Sequence, residues 1–230
     1  MKISIIIPAL NEEYNLSTLL PWLQKHGAGI VKEIIVVDGG SNDKTVKIAT
    51  DHGAVALYSP KKGRATQMNF GAKYASSEIL YFLHADTFPP ENFTDLITAS
   101  IKKNSIAGSF RLDFDDDHPL LKLYASFTSM RSILVRFGDQ SLFVRRNIFE
   151  QSAGFNENLF VMEDQEIFRR LKKYGRLTII KTPVVTSAQK YRENGVIRLQ
   201  FIFTVIFLLY YAGTSQKTLV HIYKNLIRTN

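Results

Sequence analysis

The stretch Ile3-Ser4-Ile5-Ile6-Ile7-Pro8-Ala9 decides the fold of this chain. A short β-branched run of this kind is typical of a strand that is buried on both faces of a parallel sheet. Similar apolar runs recur at 33–38, 54–58 and 78–83, and segments with helical signals separate them. Strand–helix alternation at this spacing implies right-handed crossovers. The sequence therefore predicts an α/β fold with a mostly parallel, Rossmann-like sheet flanked by helices.

The intervening segments carry helix start and stop signals. We expect one helix to begin with Asn11 as its N-cap and to run to about His26, with Pro21 as a local irregularity. A second helix, capped by Ser41 or Asn42, is expected to end near Asp51. A third is expected from 64 to 75.

The second half is less regular, and its patterns predict strands at 106–114, 142–144, 177–180 and 184–185. Apolar residues from Leu120 to Leu134 recur at helical spacing, and helices are expected at 164–174 and 196–212. With no internal repeat and no linker in the sequence, we predict one domain over 1–195 and a helical C-terminal extension over 196–230.

Composition excludes several classes of protein. The chain has 230 residues, of which 45% are hydrophobic, and no cysteine. That apolar content argues against a disordered chain, and the lack of cysteine excludes a disulfide framework or a thiolate site. The first apolar run is too short for a signal peptide, and no stretch approaches the roughly 20 apolar residues of a membrane-spanning helix. These features predict a cytoplasmic location.

Charge is distributed unevenly along the chain. Residues 1–168 contain 17 Lys/Arg and 20 Asp/Glu, a net charge of −3, whereas residues 169–230 contain 12 Lys/Arg and the single acid Glu193, a net of +11. A nucleic-acid-binding protein would be basic more evenly, so that class is disfavoured. The basic C-terminal part instead indicates phosphates or an anionic surface nearby.

Polar residues follow three of the predicted strands and should converge on one rim, since ligands of parallel sheets bind at the carboxyl ends of strands. Asp38, next to Gly39, can accept hydrogen bonds from a base or ribose while the glycine permits close approach. Asp86 is a hard oxygen ligand for Mg²⁺ or Mn²⁺, and His84 could add a nitrogen ligand, which suits Mn²⁺ better. The alternative is that Asp38 and Asp86 only stabilise turns.

The loop at 61–64 offers positive charge beside that rim. Lys61, Lys62 and Arg64 precede a predicted helix, where phosphates bind favourably. A solvated loop is the alternative interpretation. The convergence of all these groups predicts a nucleotide pocket in which a divalent cation would bridge diphosphate oxygens.

Several motifs together resemble the family-2 glycosyltransferases with the GT-A fold. The resembling segments, in family order, are 5–13 (IIIPALNEE), 36–45 (VVDGGSNDKT), 62–69 (KGRATQMN), 82–87 (FLHADT), 153–155 (AGF) and 162–166 (MEDQE). The resemblance covers about residues 3–175. It implies a glycosyltransferase that uses a nucleoside-diphosphate sugar.

The resemblance also implies roles for individual residues. By it, the nucleotide-sugar contacts would come from Pro8, Ala9, Asn11, Glu12, Asp38, Gly39, Lys62, Arg64, Gln67, Asn69, His84 and Ala85. Asp86 would carry the metal in what is usually an Asp-x-Asp element, whose first acid is here His84. This departure also appears in a small soluble branch of the family. The Gln-x-x-Arg-Trp signature of processive synthases is missing, which argues against polymer synthesis.

The resemblance also implies a reaction that inverts the configuration at the anomeric carbon of the sugar. The acceptor hydroxyl then attacks that carbon directly and must lose its proton to a nearby carboxylate. We predict Asp164 as that general base, with Glu163 as the neighbour most easily confused with it. The alternative is that both acids only favour the first turn of a helix. Asp139 and Gln140 are expected to face the acceptor or the donor sugar, unless they only form a turn.

The C-terminal extension contains twelve residues, 201–212, that are apolar except for Thr204. One interpretation places 196–213 at a membrane interface, bringing the enzyme to a lipid-linked acceptor. The other buries the helix against the domain or in a homodimer interface. We favour burial, because a helix that is apolar all round is usually buried.

Three functions compete. The leading hypothesis is a metal-assisted inverting glycosyltransferase. A sugar nucleotidyltransferase is disfavoured, because the segment after the first strand is acidic and lacks the glycine-rich loop of such enzymes. A non-catalytic nucleotide-sugar-binding or membrane-tethering protein would be favoured if Asp164 pointed away from the pocket.

Overall fold

The computed structural model describes residues 1–130, 132, 136 and 138–228. The strands are β1 (Ile3–Ala9), β2 (Val31–Asp38), β3 (Val55–Tyr58), β4 (Ile79–Phe82), β5 (Thr87–Phe88), β6 (Ala107–Phe114), β7 (Leu142–Arg145) and β8 (Leu177–Thr186). The helices are α1 (Glu13–Gly27), α2 (Thr45–Asp51), α3 (Arg64–Tyr74), α4 (Phe93–Lys102), α5 (Pro119–Phe127), α6 (Arg146–Gln151), α7 (Glu163–Leu171), α8 (Gln189–Asn194), α9 (Val196–Tyr211) and α10 (Gln216–Leu226). A short 3₁₀ helix spans Gly138–Gln140.

The strands form one eight-stranded sheet in the order β3-β2-β1-β4-β7-β6-β8-β5. The first four neighbours are parallel, as is the pair β6 and β8, whereas β7 runs antiparallel to both β4 and β6. The short β5 pairs antiparallel with the end of β8. The predicted α/β fold with a mostly parallel sheet flanked by helices is confirmed.

Every residue of β1 is buried, as its β-branched run predicts. Ile3, Ile5 and Ile7 face a core that α1 and α4 cover, whereas Ile6 faces a second core that contains residues of α3 and α7. Gly71 lets α3 lie close to the sheet, because a Cβ there would come within 2.6 Å of Ile6 Cγ2. Two buried faces explain why the strand shows no alternation.

Several element boundaries differ from the predictions. Asn11 does not cap α1: the N-cap is Glu12, and Asn11 takes a left-handed φ of 56° while its side chain accepts a hydrogen bond from the Asn42 amide. Neither Ser41 nor Asn42 caps α2, whose N-cap is Lys44. Asn11 and the loop before α2 instead bind each other across the end of the sheet, a long-range contact that local capping rules miss.

The second half also brings corrections. The two strands expected at 177–180 and 184–185 are one strand, β8. The elements β5, α4, α6 and α8 are not among the predictions, whereas α10 lies in the C-terminal extension that was predicted to be helical. The predicted helical pattern toward Leu134 ends in the structure with α5, and Leu134 itself lies outside the described residues.

The described residues cover only one face of the apolar C-terminal helix α9, and its burial in a homodimer interface stays a prediction. One face of α9, with Leu199, Ile202 and Ile206, packs in a small core with Leu219 of α10. The opposite face is exposed. Among the described residues, no helix combines the length and the apolar character needed to cross a membrane. The division of the chain at 195 and 196 stays a prediction.

Candidate active site

The strand ends meet, as the parallel arrangement requires. Ala9 pairs with Asp38 in register, and the Gly39 amide donates to the Ala9 carbonyl at 2.8 Å. Leu83, one residue before His84, donates from its amide to the Ile6 carbonyl at 3.0 Å. The buried Pro8, Ala9 and Ala85 thus form the floor of the rim rather than its polar surface.

Asp38 is buried, and its carboxylate organises the turn that follows β2. It accepts hydrogen bonds from the Gly40 amide at 3.0 Å and from the Ser41 amide at 3.1 and 3.2 Å, and also from the Ser41 hydroxyl. The turn-stabilising role that the sequence left open is therefore present. A direct contact from Asp38 to a base or ribose stays a prediction.

Gln67 and Asn69, both on α3, connect other segments of the chain through side-chain hydrogen bonds. Gln67 Nε2 donates to the carbonyls of Ala9 at 2.9 Å and Val37 at 2.8 Å, and so ties the ends of β1 and β2 together. Asn69 donates to the Phe155 carbonyl and accepts from the Phe155 amide, both at 2.8 Å. The structure gives these two amides a supporting role, because their N–H groups are taken up by the protein.

Several residues that were predicted to contact the nucleotide sugar lie toward solvent or at the outer rim. Asn11 and Lys62 are exposed, as is the neighbouring Lys61. Glu12 is partly buried; desolvation raises its pKa, and the nearby Asp86 adds to the rise, while a hydrogen bond from Asn15 opposes it. Glu12 and Asp86 therefore form an acidic rim with room for positive charge.

Lys190 supplies positive charge to this rim. It lies on α8, directly after β8, and the Ser187 amide binds the Asp86 carbonyl at 3.1 Å, which holds this segment against the rim. Desolvation would lower the pKa of Lys190, but Tyr223, Asp139 and Asp86 outweigh it and the pKa is raised. Within the described residues no hydrogen bond or ion pair binds its ammonium. A phosphate group is a fitting partner for such a cation.

His84 is held by Asp139. Its Nδ1 lies 3.0 Å from Asp139 Oδ1, so an ionised Asp139 accepts from Nδ1–H and leaves Nε2 as the acceptor nitrogen. Burial would raise the pKa of Asp139, but His84, Lys190 and Arg64 hold it well below its usual value. Asp139 therefore stays ionised and fixes the orientation of the imidazole ring.

Gly138 brings His84 and Asp164 together. A Cβ at Gly138 would lie 2.8 Å from His84 Cε1, 3.1 Å from His84 Nε2 and 3.3 Å from Asp164 Oδ2. The Gly138 amide donates to Asp164 Oδ2, and the Gln165 amide donates to Asp164 Oδ1 at 2.7 Å. Only a residue without a side chain fits between the ring and the carboxylate.

Glu163 and Asp164 begin α7 but point to different partners. Glu163 is 2% exposed, and its Oε1 lies 3.0 Å from Arg64 Nε, while Oε2 has no hydrogen-bond partner among the described residues. Asp164 turns to Gly138 instead. Desolvation raises the pKa of both carboxyls, and the Arg64 guanidinium partly offsets the rise. In turn, Glu163 and Asp164 raise the pKa of Arg64 against its desolvation.

Asp164 and Glu163 line a small cleft of about 20 Å³ together with His84 and Gly138. The remaining wall is largely apolar and comprises Met68, Phe82, Ser141, Leu142, Phe155, Ile167 and Phe168. A carboxylate with a raised pKa at the edge of an apolar cleft can accept a proton from a bound hydroxyl near neutral pH. The arrangement therefore suits general-base chemistry.

Gln140 does not face this cleft. It is fully buried, and its Oε1 accepts a hydrogen bond from Arg136. Its buried amide stabilises the loop, and its contact with a sugar stays a prediction. Asp139, one residue earlier, is the member of the pair that reaches the rim.

Two residues of the site were missed by sequence reasoning. Lys190 follows β8, so the rule that ligands bind at strand ends could have identified it, but the strand itself was predicted as two pieces. Gly138 carries no local signal of its role, since its fit between His84 and Asp164 depends on contacts far apart in the chain.

The acidic rim fits a cation only in part. Among the described residues no group of three His, Cys, Asp or Glu side chains could hold a metal ion by itself. Asp86 has oxygen available, since its carboxylate accepts one bond of 3.2 Å from the Thr87 hydroxyl. His84 has only Nε2 left, and that atom lies toward Gly138. The donor set therefore fits an ion whose other ligands come from a bound diphosphate.

Two relatives are similar over most of this chain. The 4,4'-diaponeurosporenoate glycosyltransferase of Staphylococcus haemolyticus is 27% identical over 221 residues, covering 92% of this chain and 58% of the relative. The undecaprenyl-phosphate 4-deoxy-4-formamido-L-arabinose transferase of Pectobacterium atrosepticum is 25% identical over 209 residues, covering 86% and 60%. The chain thus spans about three fifths of the length of these curated relatives.

A solved structure has the same fold. The mannosyltransferase of Pyrobaculum calidifontis, in complex with GDP-Man and Mn²⁺, superposes with a TM-score of 0.70 at 17% identity, covering 92% of this chain and 64% of that one. The eight-stranded sheet and its flanking helices are the GT-A architecture.

The family comparison is decisive for classification. The model of glycosyl transferase family 2 matches residues 4–171, which include β1, the acidic rim and the Glu163–Asp164 pair. Because this match covers well over half of the residues of the chain, the chain belongs to glycosyl transferase family 2.

Proposed function

We propose that this glycosyltransferase moves a sugar from a nucleoside-diphosphate sugar to an acceptor hydroxyl with inversion, and that Asp164 is the general base. The observation that carries the proposal is the position of Asp164, at the edge of an apolar cleft and beside the ion pair between the buried Glu163 and the exposed Arg64. A non-catalytic binding protein would have no need of a desolvated carboxylate there. Its raised pKa keeps the base strong enough to take a hydroxyl proton.

The donor would lie along the rim of strand ends. The turn that Asp38 organises and the exposed Lys62 would border the nucleotide, and the residues of β1 would form the floor. Lys190 would neutralise a diphosphate beside Asp86. Arg64 binds Glu163 through Nε, which leaves its terminal nitrogens free of described partners for a phosphate. The complexes of the archaeal mannosyltransferase with GDP-Man support this donor class.

The chemical step would follow from that arrangement. The acceptor oxygen attacks the anomeric carbon while the bond from that carbon to the diphosphate oxygen breaks, and the electron pair leaves with the diphosphate. The hydroxyl proton passes to Asp164. His84, fixed by Asp139, presents Nε2 as an acceptor for a sugar hydroxyl close to the reacting centre.

A divalent cation, Mn²⁺ or Mg²⁺, would supply further positive charge to the leaving diphosphate. Asp86 would hold it. His84 was predicted as a second ligand, and the orientation of its free nitrogen toward Gly138 favours a sugar contact instead. The Mn²⁺ complex of the archaeal mannosyltransferase supports a cation in this fold.

The acceptor is proposed to be lipid-linked. The relatives act, by their names, on diaponeurosporenoate and on undecaprenyl phosphate, both of which are apolar chains with a polar end. The wall of the small cleft beside Asp164 is largely apolar. The cytoplasmic location and the homodimer stay predictions.

Thermal-shift measurements with nucleoside diphosphates and their sugars, with and without Mn²⁺, test the donor class. One diphosphate family should stabilise the protein by about 2.7 kcal/mol at 100 times its Kd. Because Asp86 alone cannot hold the ion, Mn²⁺ without nucleotide should give little shift, and the pair should act together. Stabilisation by none of the nucleotides would refute the proposal.

Asp86→Asn and Asp51→Asn are a matched pair for the cation. Asp51 lies at the end of α2 and pairs with the exposed Lys47, away from the rim. The first variant should lose the extra stabilisation that Mn²⁺ gives to the bound nucleotide, and the second should keep it. Equal Mn²⁺ dependence in both variants would remove Asp86 from the cation site.

A further inference from the structure

The exposed face of α9 is a continuous apolar stripe. Ile197, Phe201, Leu208 and Tyr211 are 72%, 69%, 60% and 44% exposed. Together with Thr204 they recur at helical spacing, so their side chains lie along one side of the helix. Isolated exposed apolar residues are common on proteins, but a stripe of four large ones along a single helix marks an interaction surface.

The charged side chains of residues 196–230 are all basic. This segment contains Arg198, Lys217, Lys224 and Arg228 and no acidic side chain. All four basic residues are exposed. In the acidic loop before α5, Asp115 and Asp116 form ion pairs of 3.1 and 3.2 Å with Arg192. An apolar helix face between uncompensated basic groups is complementary to a bilayer with anionic headgroups.

The stripe is joined to the catalytic cleft. The hydroxyl of Tyr211, at the end of α9, donates to Gln165 Oε1 at 3.1 Å, one residue after Asp164. Gln216, at the start of α10, accepts from the amide of Phe160 at 3.0 Å. Phe160 is itself exposed and contacts the loop at Gly63. Any surface that bound the exposed face of α9 would therefore lie beside the mouth of the cleft.

From these observations we infer that the exposed face of α9, with the basic residues of α9 and α10, docks this enzyme onto an anionic lipid surface. The consequence for catalysis rests on the proposed function: a lipid-linked acceptor would reach Asp164 without leaving the bilayer. The docking itself requires no donor and no acceptor. A homodimer through the same stripe would bury the apolar side chains but would bring the like charges of two copies together.

Flotation with vesicles tests the inference. The full chain should float with phosphatidylglycerol vesicles at low salt, should bind phosphatidylcholine vesicles much more weakly, and should be released in part by high salt. Phe201→Ser and Leu208→Ser should each weaken binding about tenfold or more, since each removes one large side chain from the buried apolar area. Lys217→Gln and Lys224→Gln should weaken binding about fivefold each.

Matched controls lie elsewhere on the surface. Tyr74→Ser and Val55→Ser remove exposed apolar groups from α3 and β3, and Lys102→Gln with Lys103→Gln removes two exposed charges at the end of α4. These variants should float like the original chain. Nucleotide-induced thermal shifts should be unchanged in every variant, which separates a failure of docking from a failure of the proposed function.

Two results would overturn the inference. One is failure of the unaltered chain to float with anionic vesicles, or equal flotation of the α9 variants. The other is a dimer, measured by light scattering, that Phe201→Ser converts to a monomer without any change in vesicle binding. The second result would assign the stripe to a second copy of the chain.

Discussion

The proposed donor side of the site, at the ends of β1 and β2, and the proposed acceptor side, around the cleft, are built in different ways. At the ends of β1 and β2, polar groups are satisfied by one another: Asp38 by the turn it precedes, and Gln67 by two strand carbonyls. Around the cleft, charges are buried with incomplete compensation. Glu163 has an unpartnered oxygen, and Asp164 has a raised pKa.

This difference indicates a division of labour. A satisfied network in a low-dielectric setting is rigid, so the donor side provides a stable frame. Desolvated charges are costly to bury, and they are also reactive, which is the combination found at catalytic centres. Substitutions on the donor side should therefore lower stability, whereas those at the cleft should lower turnover.

The largest expected effect is that of Asp164→Asn. The amide keeps the shape but can accept a hydrogen bond from only one of the two amides, Gly138 or Gln165, and it cannot take a proton, so kcat should fall by about 10³-fold. The melting temperature should fall only slightly, because one backbone amide loses its acceptor, and the nucleotide-induced thermal shift should be unchanged. Steady-state kinetics of sugar transfer measure the loss.

Glu166→Gln provides the control on the same helix. Glu166 pairs with Arg170 and not with the cleft, so this carboxylate-to-amide change should leave kcat within a few-fold. Turnover by Asp164→Asn at the level of this control would mean that another group is the base.

Gln67→Leu should show the opposite pattern. It removes the Gln67 donor from the Val37 carbonyl and from the Ala9 carbonyl, which keeps the Gly39 amide, and this loss costs about 1–3 kcal/mol in the free energy of unfolding. Denaturant melts measure the loss, and kcat at saturating donor should change little. Gln24→Leu is the control, because Gln24 binds the His52 carbonyl at an exposed position. A stable Gln67→Leu protein with low kcat would contradict the division of labour.

Lys190→Ala should act on donor binding. Loss of one cation beside the diphosphate should raise the KM for the donor about tenfold, since a hydrogen bond to a charged group contributes about 1.5–3 kcal/mol. Binding of the nucleoside alone should not change. Lys181→Ala, an exposed position on β8, is the control. An unchanged donor KM would place Lys190 outside the diphosphate site.

The smallest expected effect is a displacement of the pH profile. The base acts only when ionised, so activity falls as the pH drops through the pKa of Asp164, which lies above the 3.8 of an ordinary aspartate. Arg64 lowers the pKa of Glu163 and Asp164, so Arg64→Met should move the acid limb to higher pH. Arg176→Met, at an exposed site, should leave the limb in place. A downward displacement in Arg64→Met would exclude the assigned electrostatics.

The same contrast explains what could be predicted from the sequence. The strands β1 to β4 follow from continuous apolar runs, and the rim follows from the rule that strand ends converge. Asp164 required the family resemblance, because two acids in the first turn of a helix are common without any catalytic role. Its desolvation depends on Gly138, His84 and Arg64, which come from three distant segments.

The differences from the predictions also have a physical cause. Asn11 was predicted as a helix cap from its local surroundings, but its amide oxygen binds the loop before α2. The C-terminal helix was predicted as buried because its composition is apolar on all sides. Composition alone does not say which surface covers each face: one face of α9 packs with α10, and the cover of the other face stays a prediction.

Asn69 restricts how this enzyme can be re-engineered. Its side-chain amide donates a hydrogen bond to the Phe155 carbonyl and accepts one from the Phe155 amide. Aspartate lacks the donor, and glutamine is one methylene too long for the same spacing. A library aimed at new sugar specificity should therefore keep position 69 constant and diversify the apolar wall, since the Asn69 side chain holds the segment between α6 and α7, directly before the proposed base.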